Sequence, residues 1–264
     1  ATFFIHDGSD TSKWRLKGHG RSRFWEWLAT WAAVVRHPRD LGYDAQGYDL
    51  PELVYHEHVV ETGVNDGLFA KIAQGLQERN QARRESVDLR VMQAAEIANS
   101  INGPCVIWCH LNDESAKLEQ WITDGVQVYG SMKPEAKEEL IGGFTSGDID
   151  KLITKPRIAG FGLNWQHCNH MVFTGLSDSW ESFYQAVRRC WRFGQDKPVH
   201  VHIVTADTEG AVLENIRRKQ AQHDQVSEEM AKVMKDYTVA EIKGASIEKA
   251  DYAAIEDMRV PAWL

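Results

Sequence analysis

Between residues 105 and 204 short apolar runs alternate with longer stretches of helical period, and few folds accept that pattern. Strands are expected at 105–110, 126–129, 151–154, 170–174 and 199–204, with helices near 114–122, 134–144, 179–191 and 208–222. A strand that is always followed by a helix must reach its neighbour by a crossover, so the strands lie parallel and helices cover the sheet on both faces. The expected fold class is therefore α/β. In open sheets of this kind ligands gather outside the carboxyl ends of the strands. That rule singles out Cys109 to Asn112 after the first strand, Lys155 to Asn164 after the third, and a helix with two arginines after the fourth.

The flanks are read by the same periodicities. Phe24, Trp27, Leu28 and Trp31 recur at i, i+3, i+4 and i+7, which makes an amphipathic helix facing a core, with base-stacking aromatics as the functional alternative. Asp40 to Pro51 is a loop, and Leu53 to Val60 a strand on which His56 and His58 share a face as candidate i, i+2 ligands. A charged helix is expected over 81–99, with Val87, Val91, Ala94, Ala95 and Ala98 on one side and Asn102-Gly103-Pro104 ending it. After residue 222 two helical stretches are expected, one with the stripe Met230, Val233, Met234 and Tyr237, the other at Met258 to Leu264. The resulting division is 1–94 as a helical connector and strand, 95–222 as the main lobe, and 223–264 as a helical tail packed on it.

Charge decides between classes of partner only when counted locally, because it acts within a Debye length of about 10 Å. The chain of 264 residues has a net charge of −8, which disfavours a generally polybasic nucleic-acid binder. Yet Arg188, Arg189, Arg192 and Lys197 face a single Asp196 between 185 and 197, and Lys151, Lys155 and Arg157 meet no acid between 151 and 160. After Ala206 twelve acids oppose eight bases. A basic strip on an acidic body suits a protein that grips phosphates locally. Cysteines 105, 109, 168 and 190 show no CxxC pairing and sit in or beside apolar runs, as buried thiols do. The cluster His167-Cys168-x-His170 with Cys190 meets no tetrahedral spacing rule, so no metal site is assigned. No apolar run approaches the roughly 18 residues of a membrane span.

The chemistry concentrates in Gln185-Ala-Val-Arg-Arg-Cys-Trp-Arg-Phe-Gly-Gln195. Arg189 and Arg192 are three apart, which on a helix places both on one face, an arrangement suited to neutralising charge on a transferring phosphoryl group. Upstream, Gly160 and Gly162 lack a Cβ, so backbone N–H groups there can approach a phosphate or ribose closely.

These segments resemble the Swi/Snf-type branch of the superfamily-two helicases. Gln185 to Gln195 is similar to that family's last motif, and Lys155-Pro-Arg-Ile-Ala-Gly-Phe-Gly-Leu-Asn-Trp165 to the Gly-rich motif before it. Cys105-Val-Ile-Trp-Cys-His-Leu-Asn112 resembles the strand opening the second RecA-like lobe, and Tyr129-Gly130-Ser131 with Lys137 and Phe144 resembles the family's Gly, basic and Phe spacing. The tail is similar to those of helicase-like proteins of bacteriophages and prophages. The resemblance implies a RecA-like lobe with Arg189 and Arg192 as catalytic fingers, and with Gly160, Gly162, Asn164 and Gln185 beside ATP. It also implies that His110, Asn112, Ser131, Lys155 and Arg157 touch DNA, in the duplex form the family tracks, in a bacterial or infected-cell cytoplasm. Lys155-Pro156 replaces the Ser-Thr of many relatives, which exchanges a hydroxyl contact for a point charge. No G-x-x-x-x-G-K-[ST] loop and no Asp-Glu motif occurs, so ATP phosphates and Mg²⁺ are expected on a first lobe N-terminal to Ala1 in a longer parent, the chain alone being inactive. The alternatives are a noncatalytic DNA-binding or scaffold module and an RNA-directed helicase.

Overall fold

The computed structural model describes residues 3–7, 10–29, 31, 32, 35–62, 81, 84–159 and 162–242. The chain divides into two compact units, one of residues 49–220 and one combining 1–48 with 221–264.

In the second of these, β1 (Phe4–Asp7) pairs antiparallel with β2 (Asp10–Leu16), and α1 (Arg21–Ala29) follows. Neither strand was expected, since Asp10-Thr-Ser-Lys13 carries no apolar alternation. The helix is there, but it stops before Trp31, which is 64% exposed, and its buried aromatic is Trp25 rather than a member of the 24, 27, 28, 31 stripe. Rings explain the shift: Phe3 and Phe4 lie 5.5 and 5.2 Å from Phe24, so that stripe packs against the hairpin's own aromatics.

Residues 49–220 build the sheet. Its strands are β3 (Leu53–Val60), β4 (Cys105–Trp108), β5 (Gly125–Gln127), β6 (Lys151–Thr154), β7 (His170–Thr174) and β8 (Val199–Ala206). They run parallel in the order β3-β8-β7-β4-β6-β5. The crossovers carry α2 (Val87–Ser100), α3 (Asn112–Trp121), α4 (Pro134–Ser146), the single turn α5 (Pro156–Ala159) and α6 (Trp180–Val187). Strands β4 and β6 are buried at every residue, as a sheet covered on both faces requires. Alternate residues feed separate cores. Val106, Trp108, Leu152, Met171 and Phe173 pack with Phe144, Trp165, Phe183 and Val187 on one side, while Cys105, Ile107, Ile153 and Val172 pack with Val91, Ala94, Ala98 and Leu118 on the other. All four cysteines are buried free thiols, and burial pushes Cys109 up to about 12 and Cys105 higher, which makes those two poor nucleophiles.

One helix, α7 (Gly210–Ile242), replaces the two stretches expected around residue 222, because no glycine or proline interrupts the sequence from Ala211 to Ile242. The stretch Met258 to Leu264 lies outside the described residues, as do the side chains of Val233, Met234 and Tyr237.

His56 and His58 do share a face, but other histidines meet them there. His56 Nε2 is 3.0 Å from His200 Nδ1, and His58 Nε2 is 3.2 Å from His202 Nδ1. The ring of His56 stacks on His202 at 4.5 Å, and that of His170 on His200 at 4.9 Å. Burial, then neighbouring rings, holds His56, His170 and His202 below the usual histidine value, His202 at about 4. Below about pH 6.5 the unfolded chain binds protons that the folded cluster resists, so stability is present above that pH and is lost as pH falls towards 4. The expected loss from the cluster is about 1 to 3 kcal/mol, after allowance for partial solvent screening. Urea unfolding from pH 7.5 to 4.5 measures it, with His202→Gln expected to flatten the profile; identical profiles would rule out ring–ring repulsion.

Candidate functional site

The two arginines do not sit on a helix. Helix α6 is capped by Ser179, whose side chain accepts from Ser182 N; it buries Phe183, Ala186 and Val187 and ends there. Arg189 to Gly194 then form tight turns, because the backbone of Arg189 is engaged elsewhere: its carbonyl accepts from Trp165 N at 2.9 Å. The pair converges all the same. Arg189 Nη1 and Arg192 Nη1 both donate to the carbonyl of Leu163, at 2.9 and 3.2 Å. Arg189 also donates from Nε to Gln185 O at 3.1 Å and from Nη2 to Gln185 Oε1 at 3.3 Å. Burial and then the charge of Arg192 lower the Arg189 pKa. The guanidinium of Arg192 is less committed, and its buried Nε has no hydrogen-bond partner among the described residues.

Further contacts join the same two segments. Gln166 Nε2 donates to Phe193 O at 3.3 Å, and Gln195 Nε2 to Cys168 O at 3.0 Å. Gly162 has a φ of 76°, open to a glycine but rarely to other residues, and lies exposed beside Leu163, as does Asn164. Gly160 falls outside the described residues. Since α6 leads away from the end of β7 towards the start of β8, the arginine knot lies at the amino-terminal side of the sheet. The carboxyl-end rule therefore fails for the arginines.

It holds for the five candidates expected to touch nucleic acid. His110 and Asn112 follow β4, Ser131 follows β5, and Lys155 and Arg157 follow β6, three strands adjacent in the sheet. Lys155 Nζ donates to Asn112 Oδ1 at 2.6 Å, which ties two of these segments together. Lys137 Nζ donates to Gly130 O at 2.6 Å, which anchors the turn before Ser131. Asn112, Ser131 and Arg157 are exposed.

A buried ionic group adjoins the His110 segment of this strip. Arg90, wholly buried on α2, pairs with Glu114 at 2.7 Å and with Glu209 at 3.3 Å, and donates to Thr174 O at 2.9 Å and Ser86 Oγ at 3.0 Å. It was not expected, although the sequence carries a signal of it: Arg90 falls at i+3 from Val87, on the helix's apolar stripe. No group of three or more ligating residues gathers among the described residues.

Residues 89–194 match the model of the helicase conserved C-terminal domain. Over 115 residues the chain is 30% identical to the Bacillus subtilis (strain 168) protein named "Putative ATP-dependent helicase/translocase YwqA", a match covering 41% of this chain and 12% of that protein. Among solved structures, the C-terminal part of the Fun30 ATPase domain aligns at 17% identity and a TM-score of 0.41, covering 66% of this chain and 58% of that one. A DEAD box protein of Methanococcus jannaschii aligns at 16% identity and a TM-score of 0.46, covering 64% and 39%. The parallel six-stranded sheet and the matched segment together give an α/β, RecA-like fold.

Proposed function

We propose that the sheet unit is the second RecA-like lobe of a Swi/Snf-type, ATP-dependent DNA translocase or helicase, of the kind phages and prophages carry, acting in the bacterial or infected-cell cytoplasm. The observation that supports this most directly is the carbonyl of Leu163, which takes one bond from each of Arg189 and Arg192 and so fastens the arginine segment to the Gly-rich segment. ATP would bind between this lobe and a first lobe. Mg²⁺ and the β- and γ-phosphates belong to that first lobe in this reading, since the sequence of this chain carries no G-x-x-x-x-G-K-[ST] loop.

Water attacking the γ-phosphorus spreads negative charge over the phosphoryl oxygens while ADP departs, and a cation already in place stabilises that charge without reorganisation. Arg192, the less engaged of the pair, is assigned that task. Arg189 with Gln185 acts as the brace that holds it, and Gly162 and Asn164 lie beside the nucleotide. Closure of the lobes would move the strip of His110, Asn112, Ser131, Lys155 and Arg157 along duplex DNA. Duplex-stimulated ATP hydrolysis by the longer protein tests this; stimulation by RNA alone, or none at all, would overturn it.

A second expectation concerns the strip. Lys155→Ala with Arg157→Ala should weaken duplex binding irrespective of sequence and reduce the slope of log affinity against log salt by about 1.8, at about 0.9 for each lost phosphate contact. Filter binding from 50 to 300 mM salt reads the slope, and an unchanged value removes these two residues from the backbone interface.

A further inference from the structure

We infer that Glu114, held in place by Arg90, is a positioning residue for the nucleic-acid strip, an inference that rests on the strip assigned above. The two oxygens of Glu114 have separate tasks. Oε1 accepts from Arg90 Nη1 at 2.7 Å, while Oε2 accepts from the backbone N–H groups of His110 and Leu111 at 2.8 and 2.9 Å. Those N–H groups belong to the turn that carries the chain off the end of β4 into α3, and they would otherwise be left without helical partners. The carboxylate therefore sets the path of His110 to Asn112. Asn112 in turn receives Lys155, so one buried anion fixes the spacing of two of the strip's segments.

Arg90 makes the arrangement rigid. Its guanidinium is also bound by Ser86 Oγ, the carbonyl of Thr174 at the end of β7, and Glu209, whose Oε2 accepts from Ala206 N at 3.0 Å at the end of β8. One cation thus ties down the exits of three strands. A buried charge is a costly way to stabilise a fold, because desolvation offsets most of the Coulomb gain. What a buried, charge-assisted pair supplies is geometry, since the bonds are short and directional and tolerate little displacement. The two glutamates share one cation but serve different places: Glu114 turns the loop of the strip, Glu209 turns the entry to α7. That difference separates positioning from plain stabilisation.

The experiment uses this chain with Glu114→Gln, Glu114→Asp and Glu209→Gln, read by thermal unfolding, amide hydrogen exchange and binding to a labelled 20-base-pair duplex. Glu114→Asp keeps the charge but is one methylene short of the turn. Both Glu114 variants should exchange the His110 and Leu111 amides at least tenfold faster, weaken duplex binding at least fivefold, and lower the salt slope by about 0.9, as Lys155 loses its place. Glu209→Gln should lower the unfolding temperature to a similar extent while leaving duplex affinity and those two amides within twofold of the parent. If Glu114→Asp, folded, leaves the amides protected, the positioning role is wrong whatever the chain does with DNA. Should the amides loosen with duplex affinity unchanged, Glu114 shapes a turn that DNA does not use, which also overturns the inference. A wild-type chain that binds no duplex, with the amides loosened in the variants, sinks the strip and this role together.

Discussion

Arg192→Ala, made in the longer protein proposed above, should reduce duplex-stimulated ATP hydrolysis by a factor of about 10³ to 10⁵ while leaving ATP affinity within about tenfold. Charge on the γ-phosphoryl oxygens is largest in the transition state, so an arginine acting there contributes to turnover and little to ground-state binding. The factor corresponds to about 4 to 7 kcal/mol, well above the 0 to 1 kcal/mol of an exposed ion pair. Arg192→Lys should restore little, because the planar fork is lost. Arg189→Ala should behave differently. Its guanidinium is engaged with Leu163 O, Gln185 O and Gln185 Oε1, so its removal should lower the unfolding temperature as well as the rate. If Arg192→Ala keeps more than about a tenth of normal turnover in a folded protein, the arginine knot is a structural fastening and the enzymatic reading fails.

Gly175→Ala should be the most damaging small substitution in the sheet unit, with a loss of about 3 to 5 kcal/mol. Gly175 has a φ of 82°, which costs an L side chain about 1 kcal/mol or more. A Cβ there would also run into Arg90 Nη1 and meet Cζ at 3.2 Å. A flexible arginine tip would swing aside, but this one is held by Glu114, Glu209, Thr174 O and Ser86 Oγ, so relief requires breaking a buried ion pair. Urea unfolding of Gly175→Ala, Arg90→Ala and the double variant gives the cycle, and the double variant should lose clearly less than the sum of the singles. Full additivity would show that the methyl group and the guanidinium do not meet.

How much of this was legible beforehand varies by element. The strands at 105–108, 151–154 and 170–174 were visible within a residue or two, because strands covered on both faces must be continuous apolar runs. The hairpin at Phe4 to Leu16 was not, since its pairing is made by backbone bonds that leave no period in Asp10-Thr-Ser-Lys13. The arginines were found as residues but misplaced as structure: a helical count through Arg192 ignores that Arg189 O is taken by Trp165 N. Arg90 lay in plain view on the apolar side of its helix, yet its partners are 24 residues away at Glu114 and beyond the last strand at Glu209.

By itself, then, the sequence determined the parallel α/β lobe and the segments that carry its polar chemistry, because hydrophobic period and turn residues act over a few neighbours. Only the tertiary structure decided the strand order β3-β8-β7-β4-β6-β5, the different employment of Arg189 and Arg192, and the burial of Arg90 between two glutamates. The physical reason is range: what a charge is worth depends on its distance to other charges and on how much water is excluded around it. Both are set by contacts between segments far apart in the chain.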